Sequence, residues 1–130
     1  MSKPSTAPTV WMDTNFVVHM GKPGSHVPEQ LREMLGPQVK VRLAPSVKKE
    51  LAERLADSET ARQARLGLQA IGATAEKMGK KYAGSADDDL EQLARRGALV
   101  ATLDGALRKR IKAFGGRLLY LKKGNRIALD

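Results

Sequence analysis

Short β-prone apolar runs recur along this chain, and each gives way to a stretch with helical spacing. The runs are "TVWM" (9–12), "VKVRL" (39–43), "ALVATL" (98–103) and "RLLYL" (117–121), with "RIAL" (126–129) as one more. The spacing predicts helices over 14–20, over 28–35 before Gly36 and Pro37, and from Pro45 with Val47, Leu51 and Leu55 on one face. Asp57 or Ser58 opens the next, whose stripe is Ala61, Ala64, Leu68, Ile71, Ala75 and Met78. A further helix runs from Ser85 to about Arg96, before Gly97, and another covers 105–114, before Gly115 and Gly116. Strands separated by helices pair in parallel and need cover on both faces. The expected fold is therefore a single α/β domain over residues 9–130, behind a flexible proline-rich lead-in at 1–8.

Composition excludes several classes of function. At 130 residues and 42% hydrophobic the chain can bury one core. No apolar run approaches the roughly 18 residues of a spanning helix, and the first residues lack the apolar middle of a secretory signal. There is no cysteine, which removes disulfides, thiolate metal sites and thiol nucleophiles and makes a cytoplasmic location the default expectation. The net charge of +9 favours a polyanionic partner. It is unevenly spread: Arg108, Lys109, Arg110, Lys112, Arg117, Lys122, Lys123 and Arg126 fall in a span without an acid. Aromatics make up only 4%, so contacts to phosphates are expected in place of stacking on bases.

Four acids fall at comparable places. Asp13 follows the first strand, Glu50 lies just inside the helix after the second, Asp87 opens the helix after "AGSA", and Asp104 follows "ALVATL". In an open parallel sheet the carboxyl ends of strands line a crevice where the strand order reverses. Carboxylates gathered there repel one another unless a cation intervenes, and Mg²⁺ or Mn²⁺ takes oxygen ligands. Each acid has an ordinary explanation too: an Asx turn at Asp13, helix caps at Asp104 and at "SADD", a first-turn acid at Glu50. It is their common edge that favours a metal site. Asp88 and Asp89 either cap their helix or assist that site. His19 and His26 do not suit a zinc site, no Ser has a His–Asp partner, and the glycine-rich nucleotide loops are absent.

The motifs "MDTNF", "APSVKKELAERL", "GSADDDLEQLA" and "LVATLDGALRKRIKAFGGRLLYLKKG" together resemble a PIN-domain nuclease over about residues 10 to 125. The similarity is to compact archaeal PIN proteins and to the PIN domain of ribosomal RNA processing factors, with the toxin PIN nucleases as a related group. The resemblance implies a parallel sheet of order 3-2-1-4-5. It also implies one or two Mg²⁺ or Mn²⁺ ions on Asp13, Glu50, Asp87 and Asp104 as catalytic and metal-holding residues. Asn15, Thr102 and Asp88 would support them, and Arg108, Lys109, Arg110, Lys112, Lys122 and Lys123 would hold RNA. The chain departs from the family at Leu103, where a polar residue is frequent, and at Gly105, where a charged one is. The implied activity is metal-dependent RNA cleavage in RNA processing. The alternatives are a toxin paired with an antitoxin, or a module that binds RNA or a ribosome-assembly partner without cutting. A homodimer through the stripe at 61–78 is a further expectation. A phospho-receiver domain ranks last, because no acceptor Asp follows "VKVRL".

Overall fold

The computed structural model describes residues 8–54, 58–72, 74–75 and 84–130. Residues 1–7 of the expected lead-in at 1–8, the helix-face position Leu55, the cap at Asp57 and the stripe position Met78 lie outside them. In chain order the elements are β1 (Thr9–Met12), α1 (Thr14–Met20), α2 (Val27–Leu35), β2 (Lys40–Leu43), α3 (Pro45–Arg54) and α4 (Ser58–Ile71). Then come β3 (Thr74–Ala75), α5 (Ala86–Arg95), β4 (Leu99–Ala101), α6 (Gly105–Ala113), β5 (Leu118–Lys122) and β6 (Arg126–Leu129).

The strands form one sheet of order 3-2-1-4-5-6. β1 lies at its middle because both faces of the strand are covered: Val10 and Met12 are fully buried and Trp11 packs against the core. It pairs in parallel with β2 on one side and with β4 on the other, Val10 facing Val41 and Leu99. β1 and β4 are far apart in sequence, so the strand order reverses between them. The expected order 3-2-1-4-5 holds, and β6 extends it as an antiparallel edge. The sheet is thus mixed rather than wholly parallel. The β6 edge is partly closed by one side chain. Gln30 on α2 accepts from the Ile127 N–H through Oε1 (2.8 Å) and donates to the Asn125 carbonyl through Nε2 (2.7 Å). One side-chain amide thereby stands in for the peptide group of a missing neighbouring strand.

The helix predicted through Ala75 ends earlier. Ala61, Ala64 and Ile71 are buried as the stripe requires, but α4 stops at Ile71. Gly72 takes φ +69°, and its N–H still bonds the Leu68 carbonyl (2.8 Å). That left-handed turn ends the helix at little cost only because the residue is glycine. Thr74 and Ala75 then pair with Arg42 and Leu43 as β3. A two-residue strand has no alternation for a sequence to display, and Ala75 fell on the helical stripe by register alone.

α1 and α4 meet backbone to backbone. A Cβ placed on Gly21 would lie 1.6 Å from the Gln63 carbonyl oxygen, and one on Gly67 would lie 3.0 Å from the Val17 carbonyl oxygen. This contact seats α1, and with it the residue at its head, against the rest of the layer. Gly21→Ala is expected to lower stability by about 2–4 kcal/mol, since neither backbone can yield without shifting a helix. Urea unfolding followed by circular dichroism measures it.

Candidate metal centre

The carboxyl ends of β1 and β4 lie side by side, and the chain leaves each into a helix capped by an aspartate. Asp13 extends the ladder by one residue, its N–H donating to the Ala101 carbonyl (2.8 Å). It then caps α1, with Oδ1 accepting from the Thr14 N–H (2.7 Å). Its Oδ2 accepts from the Thr102 hydroxyl across the sheet (2.8 Å). The Thr102 oxygen in turn accepts from the Asp104 N–H (3.0 Å), and Asp104 caps α6 through the Ala106 N–H (2.9 Å). On the other side the Thr14 hydroxyl donates to Glu50 Oε1 (2.6 Å). Glu50, Thr14, Asp13, Thr102 and Asp104 are thus linked in series, through the Thr14 hydroxyl and N–H on one side of Asp13 and through the Thr102 hydroxyl and Asp104 N–H on the other.

Asp87 joins this group through its field. It sits in the first turn of α5, which Ser85 caps by accepting from the Asp88 N–H (3.1 Å). Burial pushes the Asp87 carboxyl up, and the charges of Asp13, Asp104 and Glu50 push it further, against an opposing pull from Arg110. Asp13, 5% exposed, is raised by burial first. Its bonds from Thr102 and Thr14 oppose that shift, and Glu50 and Asp104 add to it. All four predicted acids thus act on one another.

They share a field without forming a closed coordination sphere. Among the described residues, no three His, Asp or Glu side chains are arranged to hold an ion by themselves. The donors are all carboxylate oxygens. This set suits a hard cation that keeps much of its water, as Mg²⁺ and Mn²⁺ do, and does not suit zinc. His19 has its pKa lowered mainly by burial, and its buried Nε2 has no hydrogen-bond partner among the described residues. The repulsion between buried Asp13 and the three half-buried acids around it is the observation that a cation would relieve.

The remaining predicted residues divide. Thr102 is fully buried, and its hydroxyl donates to Asp13. Asn15 is exposed beside it on α1. Asp88 is exposed and bonds Arg110 (2.9 Å), which holds its carboxyl below the usual range. Asp89 is buried; its Oδ1 accepts from the Gly84 N–H (3.2 Å) and so ties down the approach to α5. The other Asp89 oxygen has no hydrogen-bond partner among the described residues. Leu103 is exposed on the rim, and a side chain at Gly105 would meet open space.

The predicted cations are not equivalent. Arg108 lies over the Tyr120 ring (3.7 Å) and pairs with Asp130, which also binds Lys112 (3.0 Å). Arg110 pairs with Asp88 and Glu91. Lys109, Lys122 and Lys123 are exposed and make no ion pair among the described residues. Two contacts around the candidate site were not singled out from the sequence. Thr14 sits next to Asp13 in "MDTNF" and was open to notice as a hydroxyl beside an acid, whereas Glu91 carries no local signal. A cleft of about 210 Å³ abuts Glu50, lined also by Ser46, Lys49, Glu53, Gly84, Ser85 and Ala86. A larger one, about 520 Å³ between α2 and β6, contains none of the four acids and so lies away from this chemistry.

The family described as "PIN like domain" matches residues 10–124, nearly the whole chain. This protein belongs to that PIN-like family. Its fold is similar to a solved structure described as the PIN domain endonuclease Utp24, at 22% identity over 94% of this chain and 90% of that one, with a TM-score of 0.69. It is also similar to a domain of a functionally unknown protein from Methanocaldococcus jannaschii, at 17% identity over 89% and 92% of the two chains and a TM-score of 0.57. No curated protein matches it in sequence.

The raised pKa of Asp13 carries a sign for stability. The unfolded carboxyl titrates near 3.8, so above that pH the folded chain holds its proton more tightly than the unfolded chain does. Stability then falls as pH rises through the window up to the folded value, and at neutral pH the ionised group is a cost. Asp13→Asn keeps an acceptor for Thr14 and removes the charge. Without divalent ions it is expected to raise Tm at pH 7 by about 2–6 °C, with the gain shrinking as pH approaches 3.8. Added Mn²⁺ is expected to raise the wild-type Tm and not that of the variant. Thermal melts across pH, with and without Mn²⁺, measure both.

Proposed function

We propose that this protein is a metal-dependent endoribonuclease acting in RNA maturation. The observation that carries this reading is the set of four carboxylates in one electrostatic field at the point where strand order reverses, beside exposed lysines. Membership of the PIN-like family and the likeness to an endonuclease fold support it. RNA maturation is favoured over a toxin role by the resemblance of "SADDD" and "TLDGALRKRI" to processing-factor PIN domains.

Asp13, Asp87 and Asp104 would hold the ion or ions, with Glu50 as a fourth ligand or as the residue that orients a bound water. A bound Mg²⁺ or Mn²⁺ supplies a water of lowered pKa and offsets charge on the phosphoryl oxygens. The chain's own residues do the positioning. Thr102 fixes the plane of the Asp13 carboxylate, and Thr14 does so for Glu50. Lys109, Lys122 and Lys123 would bind the backbone of the strand, which the acids alone would repel.

Incubation of purified protein with single-stranded and structured RNAs, with and without Mn²⁺, tests the activity. Asp13→Asn and Asp104→Asn are each expected to lower Mn²⁺-dependent cleavage by roughly 100-fold or more while the far-ultraviolet spectrum persists. Unchanged cleavage by both variants would overturn the assignment. A second reading, an RNA-binding module that does not cut, is favoured by the open arrangement of the four acids. RNA binding without cleavage under any divalent ion would establish it.

A further inference from the structure

We propose that Arg110 is a positioning residue that sets Asp87 against Asp13 and Asp104, and is not a contact for RNA. The inference rests on reading the four carboxylates as the functional site. Arg110 lies on α6, six residues beyond Asp104, and reaches across to α5. Its Nη2 donates to Asp88 Oδ1 (2.9 Å), and its Nε donates to Glu91 Oε1 (2.6 Å). Glu91 is the better shielded partner, its side chain 16% exposed against 62% for Asp88, so that contact is the less screened of the two.

The contact continues into a closed loop between the two helices. The second oxygen of Glu91 accepts from Arg95 Nε and Nη2 (3.1 and 2.9 Å). The Arg95 guanidinium then lies over the ring of Phe114, at the end of α6 (4.3 Å to the centroid). α5 is thereby tied to α6 near its start by Arg110 and near its end by Arg95. Asp104 heads one helix, and Asp87 lies in the first turn of the other. Repulsion among the acids would drive the head of α5 outward, and the Arg110 contact opposes that movement. Two of the three guanidinium nitrogens are engaged by carboxylates, which offset its charge and leave Nη1 alone for a further partner.

The test compares Arg110→Ala, Arg110→Lys and Lys109→Ala in the full chain. It uses calorimetric Mn²⁺ binding without RNA, steady-state cleavage kinetics, and amide hydrogen exchange. Arg110→Ala is expected to weaken Mn²⁺ binding by roughly 10–100-fold and to lower kcat by a similar factor, with KM changed by less than about 2-fold. Amides over residues 86–90 should exchange at least about 5-fold faster, with Tm nearly unchanged. Arg110→Lys should fall between, since an ammonium keeps the charge but cannot span two carboxylates as a fork. Lys109→Ala should raise KM and leave Mn²⁺ affinity alone. A raised KM for Arg110→Ala, with Mn²⁺ affinity and exchange as in the wild type, would overturn the proposal. A wild-type protein that neither binds Mn²⁺ nor cleaves RNA would remove the nuclease reading. The exchange data would then decide the clamp alone: faster exchange at 86–90 upholds it, and unchanged exchange rejects it.

Discussion

The hydrogen bond from the Thr102 hydroxyl to the Asp13 carboxylate joins the carboxyl ends of β4 and β1 at the candidate site. It exists because β1 and β4 are neighbours although most of the chain lies between them. Asp13 does three jobs at one position. Its N–H completes the ladder to Ala101, its Oδ1 caps α1, and its Oδ2 receives Thr102. Each job constrains the side chain further, so the carboxylate is fixed in place although burial raises the energy of its charge.

A buried acid beside three others is a poor way to stabilise a domain of this size. The cost is offset elsewhere, by a core that runs through both faces of the sheet and by the close α1–α4 contact. Functional sites are where such local conflicts are tolerated. The cations follow the same logic. Some of the basic tail serves the fold, as Arg108 does over Tyr120, while Lys109, Lys122 and Lys123 stay open to solvent.

Much of the fold was legible because its signals are local. Apolar runs between helical stripes marked the strands, Gly97 and Gly115 marked helix ends, and the acids stood just past strands or at the heads of helices. β3 was not legible, because two residues cannot show a period and Gly72 resembles any interior glycine until its φ is known. In the candidate site, Asp13, Glu50, Asp87 and Asp104 are marked out by their places relative to strands and helices. Thr14 was passed over, since a hydroxyl beside an acid usually has a turn to serve. Arg110 was read with its basic neighbours, because sequence counts charges and does not pair them.

The amino-acid sequence alone determined the alternation of strand and helix, the excess of positive charge and the acids at the element ends. These depend on neighbours a few residues apart, where periodicity and capping act. Only the tertiary structure decided which strands touch, which hydroxyl serves which carboxylate, and which cations pair with acids. Those contacts join residues 36, 89 or 22 positions apart. A bond between such residues depends on the path of the whole chain, and no short stretch of it carries that information.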